Sequence, residues 1–348
     1  MSTAGAFGGY DDWADHLART PRVPGRVGDL LGVPVPTTGP VREGAGWVRD
    51  GVLTTRLRWS VGFGPDNAGW LLHPADTDPA RLPGVLALPS HGGVKSLGAE
   101  RMVDVPGVPA HVLAYRDRYE GGRAVANDLA RGGLTVLVPD AFTFGARRFD
   151  LGAEHPATYD ALAVAHEELV AKACALLDTT LAGMVAHDDL ASLDVLRRRC
   201  APGPVGALGF SGGGGRALVL AALDPGIRSL AVVAMMCTLR RLFPDHVGHS
   251  WLLHTRGLAA GPDLPGLAAS DTTRDLFVGY CAGDELFPVG GMRDADAHLA
   301  AVFAGEPGRY TALWEDAPHA FTPALQAAAI DHLTTSLLDH SRKEPSCP

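Results

Sequence analysis

After Pro83 the chain settles into a rhythm that leaves few folds open. Short apolar runs at 85–89, 134–138, 205–210, 230–234, 276–281 and 310–314 alternate with helix-patterned stretches. Those stretches lie at 123–130, 159–181, 190–199, 216–223, 293–303 and 323–339. The apolar runs show no polar alternation, which is how a strand reads when both its faces are covered. Strands and helices alternating over about 250 residues predict a mostly parallel, doubly wound α/β sheet with helices on both faces.

Upstream the pattern changes. Between Trp47 and His73 two β-rich runs carry Val48, Val52, Leu53, Leu57, Trp59, Val61 and Phe63, and turn residues at 62–69 lead into Trp70. Residues 1–45 read as a leader. A short amphipathic helix is expected from Tyr10 to Leu17, after which Pro21, Pro24, Pro34, Pro36 and Pro40 interrupt regular structure. One catalytic-size domain is therefore expected over 46–340, with a tail at 341–348.

The chain's 348 residues are enough to bury a large core without disulfide or metal staples. Its 39 acids against 30 bases, a net charge of −9, argue against a nucleic-acid binder, which normally carries a basic face. No stretch reaches the roughly 18–20 apolar residues of a membrane span. The first ten residues lack the basic start and apolar core of a signal peptide, so a cytoplasmic location is expected. The five cysteines (174, 200, 237, 281 and 347) are odd in number and scattered, which fits free thiols.

The chemistry begins at Gly209-Phe210-Ser211-Gly212-Gly213, a G-x-S-x-G motif between an apolar run and a helix-like stretch. That strand–turn–helix setting is the one in which such a serine is thrust above a sheet as a nucleophile. Glycines two before and two after let the strand and helix backbones pass one another. The following helix aims its amino-terminal amides and positive dipole end at the site. Nucleotide binding fits less well. The G-x-G-x-x-G spacing is missing at 203–217, and Val94 stands where a phosphate loop needs Gly before Lys95.

A serine nucleophile needs a base, and the base needs an orienting carboxylate. The run ending at Cys281 is followed by Asp284 and Glu285, and the run ending at Trp314 by His319. Both positions lie just past strand ends, where parallel sheets place their sites. His319 is read as the base and Asp284 as the acid, since Asp284 follows Gly283 directly and suits a tight turn. Acyl transfer also needs donors for a developing oxyanion. The amides of Gly212 and of Gly93, in His91-Gly92-Gly93 after the first apolar run, are read as that pair. His91 itself is read as bracing the loop.

With these segments in hand the chain resembles the α/β-hydrolase superfamily, and within it the dienelactone-hydrolase-like and acetyl-xylan-esterase-like branch. The resemblance is carried by His91-Gly-Gly-Val-Lys-Ser-Leu-Gly-Ala-Glu100, Val138-Pro-Asp-Ala-Phe-Thr-Phe-Gly-Ala-Arg147, Gly209-Phe-Ser-Gly-Gly213, Gly283-Asp-Glu-Leu-Phe-Pro288 and Pro318-His319. It spans about residues 45–340. It implies an α/β-hydrolase fold and a hydrolase that works through an acyl-enzyme, with no cofactor and no metal. Ser211 stands where true dienelactone hydrolases carry cysteine, which favours carboxylic esters.

Residues 238–275 are read as a lid insertion over the pocket, with Trp251, Leu252, Leu253 and His254 along it. Phe142, Phe144 and Phe149 are read as further wall. His91, Phe142, Trp251 and His254 are the pocket residues singled out. Asp140 and Arg147 are read as structural. Asp245, His246, His249 and His254 lack the spacing of a zinc site. The expected activity is hydrolysis of a short-chain or acetyl ester, with no nucleic-acid or membrane partner. Lactonase, amidase or peptidase chemistry uses the same machinery, and a non-catalytic binding protein on this fold is the reading of a different class. The oligomeric state is left open.

Overall fold

The computed structural model describes residues 7–248 and 254–343. A nine-stranded sheet runs through the molecule. Its strands are β1 (Arg42–Arg49), β2 (Val52–Trp59), β3 (Asn67–Pro74), β4 (Gly84–Leu88), β5 (Thr135–Pro139), β6 (Val205–Phe210), β7 (Ile227–Val233), β8 (Asp275–Cys281) and β9 (Tyr310–Glu315). They lie in the order β1-β2-β3-β5-β4-β6-β7-β8-β9. From β1 to β5 neighbours pair antiparallel, and from β5 to β9 all pairs are parallel.

The helices are α1 (Trp13–Arg19), α2 (Arg26–Leu31), α3 (Ala110–Tyr119), α4 (Val125–Arg131), α5 (Pro156–Leu176), α6 (Leu181–Arg197), α7 (Gly212–Leu223), α8 (Asp263–Ala268), α9 (Val289–Val302) and α10 (Pro323–Lys343). Side chains alternate across each strand, so one run of apolar residues feeds two cores. Leu86 and Leu88 of β4 and Leu230 and Val232 of β7 enter the core shared with α6, α7, α8 and α9. Val85, Ala87, Ala231 and Val233 enter the opposite core, beneath α4 and α10. This two-sided demand is why the runs carry no polar alternation. β9 is the exception among the predicted buried strands. It is an edge strand, and its residues are half-buried or exposed.

The amino-terminal region is more structured than its prolines suggest. Residues 26–31, between Pro24 and Pro34, form α2, which Gly32 ends in a left-handed conformation. Tyr10, Trp13, Leu17, Leu31 and Val33 are buried in the cores. The expected boundary at residue 45 falls inside β1. The expected helix over 159–181 ends at Leu176, and a separate α6 begins at Leu181. Thr180 caps α6 by accepting the Gly183 amide at 2.9 Å, a signal readable in principle from Thr180 and Gly183.

Within the described part of 238–275, a short 3-10 turn at Leu239–Leu242 precedes α8. Leu239, Leu242, Leu258, Leu264 and Leu267 are core residues, so much of this insertion is packed onto the body of the domain. Among the described residues no single helix is long and apolar enough to cross a membrane.

Candidate active site

Ser211 sits between β6 and α7 with φ +54° and ψ −128°, a conformation that residues with a Cβ rarely adopt. Such strain costs of order 1–3 kcal/mol and persists only where the surroundings enforce it. Here they do. The Ser211 amide donates to the Val233 carbonyl at 2.8 Å, and the Ser211 carbonyl accepts from the Gly214 amide at 2.7 Å. A Cβ on Gly209 would collide with the Gly213 carbonyl, and one on Gly213 with the Leu88 carbonyl. The two glycines of the motif are thus close-approach positions that bring strand and helix together.

The hydrogen-bond chain expected from the sequence is assembled. Ser211 Oγ lies 2.8 Å from His319 Nε2, and His319 Nδ1 lies 2.6 Å from Asp284 Oδ2. The Asp284 side chain is fully buried, while the His319 ring keeps slight access to solvent. The other oxygen of Asp284, Oδ1, accepts from the amides of Leu286 at 2.7 Å and Phe287 at 3.3 Å. Glu285 is exposed, so the turn after β8 directs only the Asp at the imidazole. Phe210 lies against the His319 ring with centroids 5.1 Å apart, and Phe287 at 6.2 Å. The loop bearing His319 is tied to α3 by the Phe321 amide on the Tyr119 carbonyl, 2.7 Å.

Gly212 lies against the His91 backbone: a Cβ there would meet the His91 Cβ at 2.7 Å and its amide nitrogen at 2.8 Å. The two expected oxyanion donors therefore belong to neighbouring segments. They differ at rest. The Gly212 amide has no acceptor among the described residues, whereas the Gly93 amide donates to His91 Nδ1 at 3.1 Å. Gly92 and Gly93 both have positive φ, +57° and +66°, which allows the chain to fold back onto the histidine ring.

The remaining predicted residues scatter. Phe142 is a correction. It is fully buried among Tyr10, Trp13 and Phe149, with centroids 5.2–5.5 Å away, and so serves the core rather than a pocket wall. Phe149 joins the same cluster. Phe144 does reach the site, edge-on to His91 at 5.2 Å. His254 Nε2 donates to the Val247 carbonyl, 3.0 Å, and His254 lines a surface cleft of about 450 Å³ with Asp29, Ala171 and Arg256 that includes none of Ser211, Asp284 and His319. His249, Trp251, Leu252 and Leu253 lie outside the described residues. Asp140 and Arg147 are structural, as read, but do not pair. Asp140 accepts the amides of Ala99 at 2.8 Å and Ala146 at 2.9 Å. Arg147 pairs with Asp188 at 2.8 Å, both fully buried.

Two buried ion pairs around the site escape a sequence reading. Arg216 of α7 holds Asp189 of α6 at 2.6 Å and also donates to the Pro89 carbonyl at 3.1 Å, binding the helix after Ser211 to the start of the His91 loop. Glu167 of α5 takes Lys95 at 2.8 Å and His91 at 2.9 Å. Burial opposes ionisation of Glu167, but the His91 hydrogen bond and the Lys95 charge outweigh it and hold the carboxyl well below its usual range. Neither pair has a local motif, since the partners are tens of residues apart.

No family model matches the chain, and no curated protein matches it in sequence. Solved structures do match in shape. A Bacteroides fragilis protein provisionally named an acetyl xylan esterase superposes with a TM-score of 0.61 at 16% identity, covering 87% of this chain and 74% of that one. Acetyl xylan esterase 1 from Thermoanaerobacterium sp. JW/SL YS485 gives 0.57 at 15% identity, covering 95% and 96%. A glucuronoyl esterase from Solibacter usitatus gives 0.56 at 15% identity, covering 93% and 91%. With the strand order above, these likenesses establish the α/β-hydrolase fold.

Proposed function

We propose that this protein hydrolyses carboxylic esters, short-chain or acetyl esters first among them, through an acyl-enzyme on Ser211. The observation that carries the reading is the unbroken chain Ser211–His319–Asp284 mounted on a strained turn at the end of β6. Ser211 Oγ attacks the ester carbonyl while His319 Nε2 takes its proton. Asp284 keeps the imidazole protonated at Nδ1 and balances the charge of the imidazolium. The oxyanion receives the Gly212 amide and, as second donor, the Gly93 amide. The latter shares its proton between His91 Nδ1 and the substrate oxygen as a three-centre donor. The tetrahedral intermediate collapses, His319 gives its proton to the departing alkoxide, and the alcohol leaves. Water then attacks the acyl-enzyme with His319 again as base, which returns Ser211 and releases the acid.

The acyl preference is supported by the likeness to structures named as acetyl xylan esterases. Nothing in this mechanism calls for a metal or organic cofactor. The test is a panel of p-nitrophenyl acetate, longer p-nitrophenyl esters, a lactone and an anilide, with a fluorophosphonate probe for the nucleophile. Hydrolysis of the acetate above the others, and labelling at Ser211 lost in Ser211→Ala, is the expected result. Turnover of the lactone or anilide in preference, or labelling at another serine, overturns it.

A further inference from the structure

Two consecutive glycines form the tip of the loop beside the nucleophile, and Gly93 has no atom near its missing Cβ to hold it. Both residues could adopt many conformations. The orientation of the Gly92–Gly93 peptide is set by the bond from the Gly93 amide to His91 Nδ1. For Nδ1 to accept that hydrogen it must be bare, so the ring proton belongs on Nε2. Nε2 faces Glu167 at 2.9 Å, and Glu167 is in turn held by Lys95 at 2.8 Å. Lys95 also donates to Thr143 Oγ1 at 3.1 Å. All three charged or polar partners are enclosed: the Lys95 and Glu167 side chains are 3% and 5% exposed. Lys95 is on the loop after β4, Thr143 on the loop after β5, and Glu167 in the middle of α5.

We propose that Glu167 is a positioning residue for the oxyanion loop, acting through His91. As a charged, acceptor-only group it imposes the Nε2–H tautomer, leaves Nδ1 bare, and thereby fixes the direction of the Gly93 amide. This rests on the ester-hydrolase reading above and deepens it. It assigns a role to α5, whose Glu167 is 76 residues from His91 in sequence. Lys95 shares the oxygen that His91 uses, Glu167 Oε2, and keeps the buried carboxylate charged.

Both His91 Nε2 and Lys95 Nζ meet the same oxygen, Glu167 Oε2, at 2.9 Å and 2.8 Å. Glu167→Gln can place its amide oxygen there and still accept from both donors, so it should keep the Nε2–H tautomer. Glu167→Leu removes the acceptor, and Lys95→Met beside it removes the cation that would otherwise be buried without its partner. In that double variant nothing fixes the ring proton on Nε2 or the ring's orientation. The loop peptide turns, and stabilisation is lost where charge develops in the transition state. Lys95→Met alone leaves Glu167 on His91 and isolates any effect of the lysine itself.

The experiment measures kcat and KM on p-nitrophenyl acetate at pH 8 for the wild type, Glu167→Gln, Lys95→Met and the double variant Glu167→Leu with Lys95→Met. Histidine 15N spectra report the His91 tautomer, identified by the signal lost in His91→Asn. The expected results are Nε2–H in the wild type and in Glu167→Gln, with kcat within about fivefold of the wild type in Glu167→Gln and Lys95→Met. The double variant should lose about 10–100-fold in kcat with KM within about threefold, as for weakening one oxyanion donor. An Nδ1–H tautomer in the wild type, a folded double variant with kcat within about twofold, a loss confined to KM, or an equal loss in Glu167→Gln would each overturn the proposal. If the double variant does not fold, the wild-type tautomer and Glu167→Gln decide. Failure of the ester reading is separable. It appears as absent wild-type turnover or absent Ser211 labelling, whereas failure of this proposal leaves both intact.

Discussion

Replacing Asp284 by asparagine tests the site at its most constrained atom. Asparagine has the same shape, so only the placement of its oxygen and NH2 is in question. The position of Oδ1 receives two backbone N–H groups, from Leu286 at 2.7 Å and Phe287 at 3.3 Å. Placing the NH2 there would set donors against donors in a fully buried spot, at a cost of about 1–3 kcal/mol for each unsatisfied group. The amide oxygen must therefore stay with the turn, and the NH2 must face His319 Nδ1. That nitrogen then has to be an acceptor, the ring proton moves to Nε2, and Nε2 can no longer take the proton of Ser211. The loss of kcat should approach 10⁴-fold, the scale seen when an imidazole is locked in the wrong tautomer. That corresponds to about 5 kcal/mol of transition-state stabilisation, at about 1.36 kcal/mol per decade. The assay is single-turnover and steady-state hydrolysis of p-nitrophenyl acetate at pH 8, beside Glu285→Gln, which should lose less than about tenfold because Glu285 is exposed. A loss under tenfold in a folded Asp284→Asn, or a larger loss in Glu285→Gln, would refute the argument from the turn amides.

Four further outcomes are expected. The kcat/KM for ester hydrolysis should fall on acidification, since an imidazolium cannot accept the Ser211 proton; a rate flat from pH 5 to 9 with chemistry limiting would remove His319 as base. Burial pushes the Glu120 carboxyl up to about 8 from 4.5, against the pull of Arg101 and Arg116. The folded chain thus keeps a proton that the unfolded chain releases, and this group's contribution falls as pH rises from about 4.5 to about 8. Glu120→Gln should therefore gain stability over the wild type between pH 5.5 and 8.5, by an amount of order a few kcal/mol, in urea unfolding at the two pH values. Arg147→Met leaves Asp188 buried beside His187 and strips the Phe63 carbonyl of its donor, so unfolding should cost about 3–5 kcal/mol less. Gly213→Ala should destabilise by at least about 1–3 kcal/mol, read as a lower Tm, because its Cβ meets the Leu88 backbone, which cannot give way like a side chain.

Much of this protein was legible from local pattern alone. The parallel strands announce themselves because each must satisfy two apolar cores, and that demand erases polar alternation residue by residue. The turn at Ser211 is equally local: Gly209, Ser211 and Gly213 occupy a sharp reversal whose steric needs are written in five consecutive residues. Asp284 and His319 could be placed because strand ends in a parallel sheet converge on one edge, and Gly283 favours the shorter acid over Glu285. What tertiary structure alone decided concerns contacts between distant segments. The apolar reading of β9 could not reveal an edge strand, because position in a sheet is not a property of a strand's own residues. Phe142 follows a strand end like a pocket residue, yet Tyr10 and Trp13, more than a hundred residues away, claim it for the core. The prolines before residue 45 do break the chain into short pieces, but only packing shows that those pieces complete the core. The Gly93 amide, Glu167 and Lys95 show the same limit in the site itself. A hydrogen bond is directional and reaches about 3 Å, so which tautomer and which amide it selects depends on side chains that only the folded chain brings together.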